Sequence, residues 1–373
     1  MNSPASKPDV KAIISGGGTG GHIFPAIAIA DALKNRNPGI DILFIGARDK
    51  MEMEKVPAAG YRIEGLWISG FQRSLSIKNL SFPFKVFVSL RKAKRIIDRF
   101  KPDVVIGVGG FASGPVLRIA SRKGIPTVIQ EQNSFPGITN RLLAKKVDKI
   151  CVAFDGMEKY FPAGKIFLTG NPVRRDVIDI DGKRKDAMDY FGLEQAKKTI
   201  LVIGGSQGAL AINKGIHSGL RQFAESGIQV IWQTGKYYYD TAASALTQSL
   251  KSLVRAVAFI DRMDFAYAAA DVVISRAGAI AISEICAVGK PVVLVPLPTA
   301  AEDHQTKNAK KLVEKNAAII VRDEEAGDLL ASVAMQLLSD PAKQEEMKQN
   351  LLKLKHTDAA DKIASEILAL IKE

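Results

Sequence analysis

Hydrophobic residues fall into short, nearly unbroken runs along this chain, each followed by a stretch in which they recur at helical spacing. VKAIIS (10–15), IDILFIG (40–46), DVVIGVGG (103–110) and PTVIQEQ (126–132) are apolar at almost every position, which predicts parallel strands covered on both faces. Helices are predicted over 25–33, 50–59 and 114–122. The alternation then restarts, with strands predicted over 199–205, 228–234, 256–260, 271–275 and 291–295, and helices over 209–226, 240–252 and 279–288. A polar helix over 340–355 and an apolar-striped one over 358–371 complete the pattern. The fold class is therefore α/β, two Rossmann-like, doubly wound parallel-sheet domains facing a cleft. The charged stretch that follows Asn171 and Pro172 marks the boundary: residues 1–174 form the first domain and 175–356 the second, with a terminal helix (about 357–373) expected to return to the first.

Glycine punctuates the strand ends. GGGTGG (16–21), GGFASG (109–114) and GGSQG (204–208) each follow a strand and open a helix. Glycine lets backbone N–H groups approach an anion, and the helix N-terminus behind it adds about half a positive charge. One such turn serves tight packing equally well, but three divided between two domains point to a phosphate-bearing ligand in an interdomain cleft. None carries the lysine and hydroxyl residue of a P-loop, which argues against nucleotide triphosphatase chemistry. Gly16, Gly18 and Gly21 fit a dinucleotide fingerprint, yet the second strand ends in Gly46, Ala47 and Arg48 and holds its acid, Asp41, at its start. An NADP-dependent oxidoreductase using Arg48 is the weaker alternative.

Composition narrows the class. Of the 373 residues, 47% are hydrophobic and 24% charged, as in a globular protein of two domains. Cys151 and Cys286 stand far apart, which suits a reducing cytoplasm and no zinc site. The opening MNSPASKPDVK lacks the apolar core of a signal peptide, and no apolar run approaches the ~20 residues of a spanning helix, so a soluble cytoplasmic protein is expected. The net charge is +13, but residues 1–174 hold 27 basic and 13 acidic side chains, so the whole excess lies in the first half. Within it, segment 71–101 carries nine Lys/Arg and one acid. Val86, Leu90, Ala93, Ile97 and Phe100 form a core-facing helical stripe there, while Phe84 and Phe87 lie on a second face with Arg91, Lys94 and Arg95. With Leu80 and Phe82 just ahead, this predicts contact with an anionic membrane surface. A nucleic-acid-binding protein would also be basic, but no recognition motif or interleaved aromatic pattern accompanies the charge.

GGGTGGHIFPAIAIA, GVGGFASGP, EQNS, GNPVR, GGSQGA and RAGAIAISE, taken in this order, resemble the bacterial MurG family of N-acetylglucosaminyltransferases over nearly the whole chain. The resemblance implies a GT-B fold, with the acceptor bound mainly by the first domain and UDP-GlcNAc by the second. It implies inverting transfer of GlcNAc to the 4-hydroxyl of the muramoyl sugar on a polyprenyl diphosphate, by a peripheral protein at the cytoplasmic face of the membrane. Other GT-B lipid glycosyltransferases, such as the diacylglycerol galactosyltransferases, are the alternative within the fold.

Carried over residue by residue, Glu284 accepts the ribose hydroxyls, flanked along the UDP by Ala279, Ile280, Ala281, Ile282 and Ser283. Ile260 reads uracil through its backbone, and Ser206, Arg174, Asn133, Gln305, Thr19, Gly20 and Gly21 complete the donor contacts. Gly17, Gly18, Gly109, Gly110 and Ser113 are the acceptor-diphosphate loops. His22 is the expected base, since imidazole titrates near working pH and the positive end of a helix keeps it neutral. Glu131 is the second base or an orienting group. No tightly bound cofactor is implied, a divalent cation at most accompanying the nucleotide, and the Asp179 and Asp181 pair reads as a solvated turn. Phe111 stands where many relatives carry tyrosine, so no phenol is available there.

Overall fold

A computed structural model describes residues 10–69, 82–205 and 207–372. They form two compact units, Met1–Val173 with His356–Glu373, and Arg174–Lys355.

The first unit holds strands β1 (Lys11–Ser15), β2 (Asp41–Ala47), β3 (Arg62–Leu66), β4 (Val104–Gly107), β5 (Thr127–Glu131), β6 (Lys149–Val152) and β7 (Ile166–Leu168). Its helices are α1 (Gly20–Arg36), α2 (Glu52–Ala58), α3 (Phe82–Phe100), α4 (Ser113–Arg122) and α5 (Ile138–Leu143). The sheet order is β3-β2-β1-β4-β5-β6-β7, every neighbouring pair parallel. Side-chain alternation divides β1 between two cores. Ala12 and Ile14 join Ile23, Ile27 and Leu33 of α1, whereas Ile13 joins Ala93, Ile96 and Ile97 of α3 and Val116 and Leu117 of α4. Strands β3, β6 and β7 escape the periodicity reading because RIEGL and KICV are short and only partly apolar, and IFL is only three residues long.

The second unit holds β8 (Thr199–Ile203), β9 (Gln229–Gln233), β10 (Val254–Val257), β11 (Val272–Ser275), β12 (Val292–Leu294) and β13 (Ile319–Ile320), parallel in the order β10-β9-β8-β11-β12-β13. Its helices are α6 (Arg175–Ile178), α7 (Arg184–Phe191), α8 (Leu210–Glu225), α9 (Tyr239–Ala245), α10 (Gln248–Lys251), α11 (Met263–Ala269), α12 (Ala279–Val288), α13 (His304–Val313), α14 (Ala326–Leu338) and α15 (Pro341–Lys353). The single helix predicted over 240–252 is instead α9 and α10, broken by extended backbone at Leu246 and restarted where Thr247 accepts the Leu250 N–H. The strand predicted over 256–260 runs earlier, as β10.

The last helix, α16 (Ala359–Lys372), belongs to the first unit. Ile363, Ala364 and Ile367 are fully buried in the core that α1 lines, and Lys149 pairs with Glu366 at 3.0 Å. No helix among the described residues is long and apolar enough to cross a membrane.

Both sheets reverse their winding direction at one point, between β1 and β4 in the first unit and between β8 and β11 in the second. In open α/β sheets, ligands bind beyond the strand ends at such a switch point. The glycine turns expected to carry chemistry lie there.

Candidate functional site

In the first unit the chain leaves β1 through Gly16, Gly17 (φ 143°) and Gly18 (φ 90°) and enters α1 with Thr19 as extended N-cap. The turn lies against the one after β4: a Cβ on Gly110 would overlap the Gly17 carbonyl oxygen. Glu52, the first residue of α2, sits beneath with 1% exposure. Its two oxygens accept the Gly18 N–H at 3.1 and 3.0 Å, and one also accepts the Ala47 N–H at 2.9 Å. The Gly18 amide is committed to a carboxylate, and negative charge underlies this part of the turn. The N-cap and first residues of α1, Thr19, Gly20 and Gly21, are where helix N–H groups face outward.

His22 follows, half-buried, with Nδ1 3.1 Å from the Thr19 hydroxyl. Its ring lies over Gly109 (φ 86°), where an added Cβ would come within 2.7 Å of Cδ2 and 2.9 Å of Nε2. Gly109 is thus needed for both its backbone angle and the imidazole above it. Ser113 is fully buried, and its hydroxyl donates to the Gly110 carbonyl at 3.0 Å, so it shapes the turn from inside. Phe111 is 47% exposed on the same turn.

Buried amides support this turn. Gln132 donates to the Val108 carbonyl (3.0 Å), Asn171 donates to the Gln132 carbonyl (3.0 Å), and Gln130 donates to Asn171 (3.0 Å). Glu131 accepts four bonds: from Asn133 N–H (3.0 Å) and side-chain amide (3.2 Å), Gly137 N–H (3.1 Å) and the Asn140 amide (2.8 Å). Burial raises its carboxyl pKa, and these donors pull the other way. Glu131 is 2% exposed, and both its oxygens accept hydrogen bonds, two of them from Asn133.

Along α3, Ser89, Ala93, Ile96 and Ile97 are buried, while Phe82, Val86, Leu90 and Phe100 are half-buried. Phe84 and Phe87 are 60% and 50% exposed. Trp67 packs edge-on against Phe84, and the Arg91 guanidinium lies 4.5 Å from the Phe87 ring centre. Arg95 is exposed beside them. Lys94, exposed on the same helix, pairs with Asp98 at 2.8 Å. Leu80 lies outside the described residues.

In the second unit, β8 ends in Gly204, Gly205 and, one turn on, Gly208, while Ser206 lies outside the described residues. Gly208 (φ 81°) and Gly235 (φ 75°) meet backbone to backbone, so a Cβ on Gly208 would overlap the Thr234 carbonyl. Asn213 holds this contact from within, donating to the Thr234 carbonyl (2.8 Å) and accepting from Trp232 (3.0 Å). Above them opens a cavity of about 780 Å³, its walls including Gly205, Gln207, Lys214, Arg276, Ala281 and Gln305.

The turn after β11 leads into α12 through Gly278. Glu284, half-buried, accepts from the hydroxyl of fully buried Tyr267 at 3.2 Å. Burial pushes its carboxyl pKa up to about 7, against the Tyr267 hydrogen bond and the positive charge of Arg174. Ala279 and Ile282 are buried, Ile280 and Ala281 half-buried, and Ser283 donates to the Ala279 carbonyl at 2.9 Å. The Ile260 side chain is in the core, which leaves only its backbone to meet a ligand. Arg174 is exposed, 3.8 Å from Asp176. Asp179 pairs with Lys183 at 3.3 Å, and among the described residues no acidic, histidine or cysteine cluster could hold a metal ion.

The model of the glycosyltransferase family 28 N-terminal domain matches residues 12–152, and that of its C-terminal domain matches residues 199–363. The chain belongs to glycosyltransferase family 28. Among curated relatives, the UDP-N-acetylglucosamine–N-acetylmuramyl-(pentapeptide) pyrophosphoryl-undecaprenol N-acetylglucosamine transferase of Flavobacterium psychrophilum is 54% identical, covering 97% of this chain and 98% of its own. The protein of that name from Parabacteroides distasonis is 54% identical over 96% of this chain and 98% of its own. The crystal structure of Acinetobacter baumannii MurG matches with a TM-score of 0.76 at 28% identity, covering 96% of this chain and 99% of that one. The two all-parallel units are the GT-B architecture of family 28.

For this family 28 chain, the sequence motifs locate the turns, but not the side chains that hold them. Glu52, Asn213 and Tyr267 act through contacts distant in sequence and stand in none of the motifs, and Gln132 stands in EQNS, which does not disclose its contact with Val108. Arg276 does stand in one, as the first residue of RAGAIAISE, and only its partners disclose what it does.

Proposed function

We propose that this chain transfers N-acetylglucosamine from UDP-N-acetylglucosamine to the N-acetylmuramyl-pentapeptide pyrophosphoryl-undecaprenol acceptor, making the lipid-linked disaccharide precursor of peptidoglycan. The observation that carries this reading is agreement along both units with relatives of that one name, at 54% identity over 97% of the chain. The site chemistry supports it. The muramoyl 4-hydroxyl oxygen attacks C1 of the donor sugar, the C1–oxygen bond to UDP breaks with inversion, and the hydroxyl proton passes to His22 Nε2. Nδ1 lies 3.1 Å from the Thr19 hydroxyl, which can accept from Nδ1–H in the tautomer that carries its lone pair on Nε2. Arg174 and the N-termini of α8 and α12 stabilise the departing diphosphate, with Ser206 and residues 19–21 as further contacts. Glu284 accepts the ribose hydroxyls, Ile260 meets uracil through its backbone, residues 279–283 flank the nucleotide, and Asn133 and Gln305 contact the sugar. The test is UDP release from UDP-N-acetylglucosamine, measured with and without a lipid acceptor analogue; release that ignores the acceptor overturns the reading.

Glu284 makes donor binding pH-dependent. With its pKa near 7, the carboxylate that accepts two hydroxyls forms only as pH rises through that value. UDP is therefore expected to bind about tenfold more weakly at pH 6 than at pH 8. Titration calorimetry of wild type and Glu284→Gln checks this: the variant keeps only the dependence due to the phosphates of UDP itself, and parallel curves would remove Glu284 from ribose recognition.

The first unit supplies the membrane contact, at the cytoplasmic face, through Leu80, Phe82, Phe84, Phe87, Arg91, Lys94 and Arg95. Exposed aromatic rings beside guanidinium groups suit an anionic headgroup layer, and the pairing of Lys94 with Asp98 places the stronger attraction on Arg91 and Arg95. Binding to phosphatidylglycerol vesicles is expected to weaken with salt and to fall about tenfold or more in the Phe84→Ser, Phe87→Ser double variant, since each buried ring contributes ~1.5–3 kcal/mol. Sedimentation that is unchanged in the variant would sink the idea.

A further inference from the structure

Arg276 lines the cavity of the second unit, yet its charge is already in use. Its side chain is 14% exposed, and one nitrogen, Nη1, donates to the Val295 carbonyl at 3.0 Å, reaches the Pro296 carbonyl at 3.4 Å and pairs with Asp323. Val295 and Pro296 lead directly to Leu297, whose N–H donates to Oε1 of Gln305 at 3.0 Å. A backbone N–H meets only the oxygen end of an amide, so the NH₂ of Gln305 is the end left to a ligand. Arg276, Leu297, Gln305 and Asp323 all line the one cavity.

The segment between them cannot hold its shape through local preference. Glu302 (φ 56°) and Asp303 (φ 54°) are consecutive left-handed residues just ahead of α13, a conformation that non-glycine residues adopt at a cost. It persists where surrounding contacts over-determine it. The Arg276–Asp323 pair anchors one end, and Lys307, donating to the Glu302 carbonyl at 2.8 Å, anchors the other.

We infer that the Arg276–Asp323 pair is a specificity-positioning element: through residues 295–297 it fixes the Gln305 amide as a hydrogen-bond donor to a hydroxyl of the transferred sugar. This rests on the cavity being the UDP-N-acetylglucosamine site. A hydrogen bond weakens steeply beyond ~3.2 Å or below ~120°, so a fixed donor rejects an epimer whose hydroxyl points elsewhere. A donor free to swing follows either epimer. The pair therefore acts on sugar choice and leaves nucleotide affinity alone.

The test compares kcat/KM for UDP-N-acetylglucosamine and UDP-N-acetylgalactosamine, with a lipid acceptor analogue and the full-length protein, alongside UDP affinity by calorimetry. Arg276→Met is expected to lower the ratio of the two about tenfold or more, mainly through KM for UDP-N-acetylglucosamine, with UDP affinity within about twofold of wild type. Arg276→Lys, whose ammonium offers three donors to the same three oxygens, retains most of the ratio. Asp323→Asn keeps the shape without the charge and loses part of it, which gives the same answer should the methionine variant not fold. An unchanged ratio in Asp323→Asn and Arg276→Met, or in Gln305→Ala, overturns the inference, as does loss of UDP affinity in step with KM. Wild-type protein that binds UDP without discriminating the two sugars overturns the inference and spares the nucleotide reading. Failure to bind UDP overturns both.

Discussion

Replacing His22 by alanine is expected to lower kcat about 100- to 10,000-fold, the range that a positioned general base contributes, while UDP affinity stays unchanged. The imidazole is bracketed by Thr19 at Nδ1 (3.1 Å) and by Gly109 beneath its Cδ2–Nε2 edge. Thr19 holds the Nδ1 edge, and Gly109 leaves the ring room to lie where it does. Kinetics with a lipid acceptor analogue check the assignment: turnover of His22→Ala near the wild-type level would remove His22 from the mechanism. Gly109→Ala is a control on the same ring. Its Cβ would lie 2.7 Å from Cδ2, on a backbone at φ 86°, so the imidazole must tilt and kcat falls although the base is still present.

The second large effect is in stability. Glu52→Ala leaves the buried Ala47 N–H and the Gly18 N–H without their acceptor and opens space under the first glycine turn. An unsatisfied buried amide costs ~1–3 kcal/mol, so a loss of about 3 kcal/mol is expected, with a transition about 6–12 °C lower in calorimetry for a unit of this size. Activity is expected to fall further than folding alone explains, because residues 19–22 depend on the turn that Glu52 holds. UDP affinity, set mainly by the second unit, is expected to fall only by what the contacts of residues 19–21 contribute, at a temperature where both units are folded. Glu52→Gln keeps one acceptor oxygen and is expected to recover about half of the stability. An unaltered transition in Glu52→Ala would show that the turn holds itself.

The glycine turns are legible in the sequence because their requirement is local: positive φ at Gly18, Gly109 and Gly208 excludes most other residues. The central strands are legible because VVIG and TILVI are buried on both faces. The edges are harder. Strand β13 is two residues long, and β7 exposes Leu168, so neither carries a period that can be read. Side-chain direction is harder still. Ser113 and Glu131 stand in motifs that suggest contact with substrate, yet both turn inward onto backbone amides and carbonyls. Glu52 shows the converse, the first residue of a short helix whose partners lie 5 and 34 residues away. Charge counting places Lys94 on a basic face, and i,i+4 spacing on α3 also pairs it with Asp98.

Helix α16 closes the first unit from the far end of the chain, and that placement sets an order of events during synthesis. The second unit is one continuous stretch, Arg174–Lys355, complete in itself as soon as it leaves the ribosome. The first begins earlier and finishes later, since the layer around α1 lacks Ile363, Ala364 and Ile367 until the final residues emerge. At translation rates of ~5–20 residues per second, the intervening unit imposes a wait of about 10–40 s with that apolar face incomplete. The half born first is the half that needs a chaperone's attention longest, and a premature stop near the C-terminus damages the unit at the N-terminus.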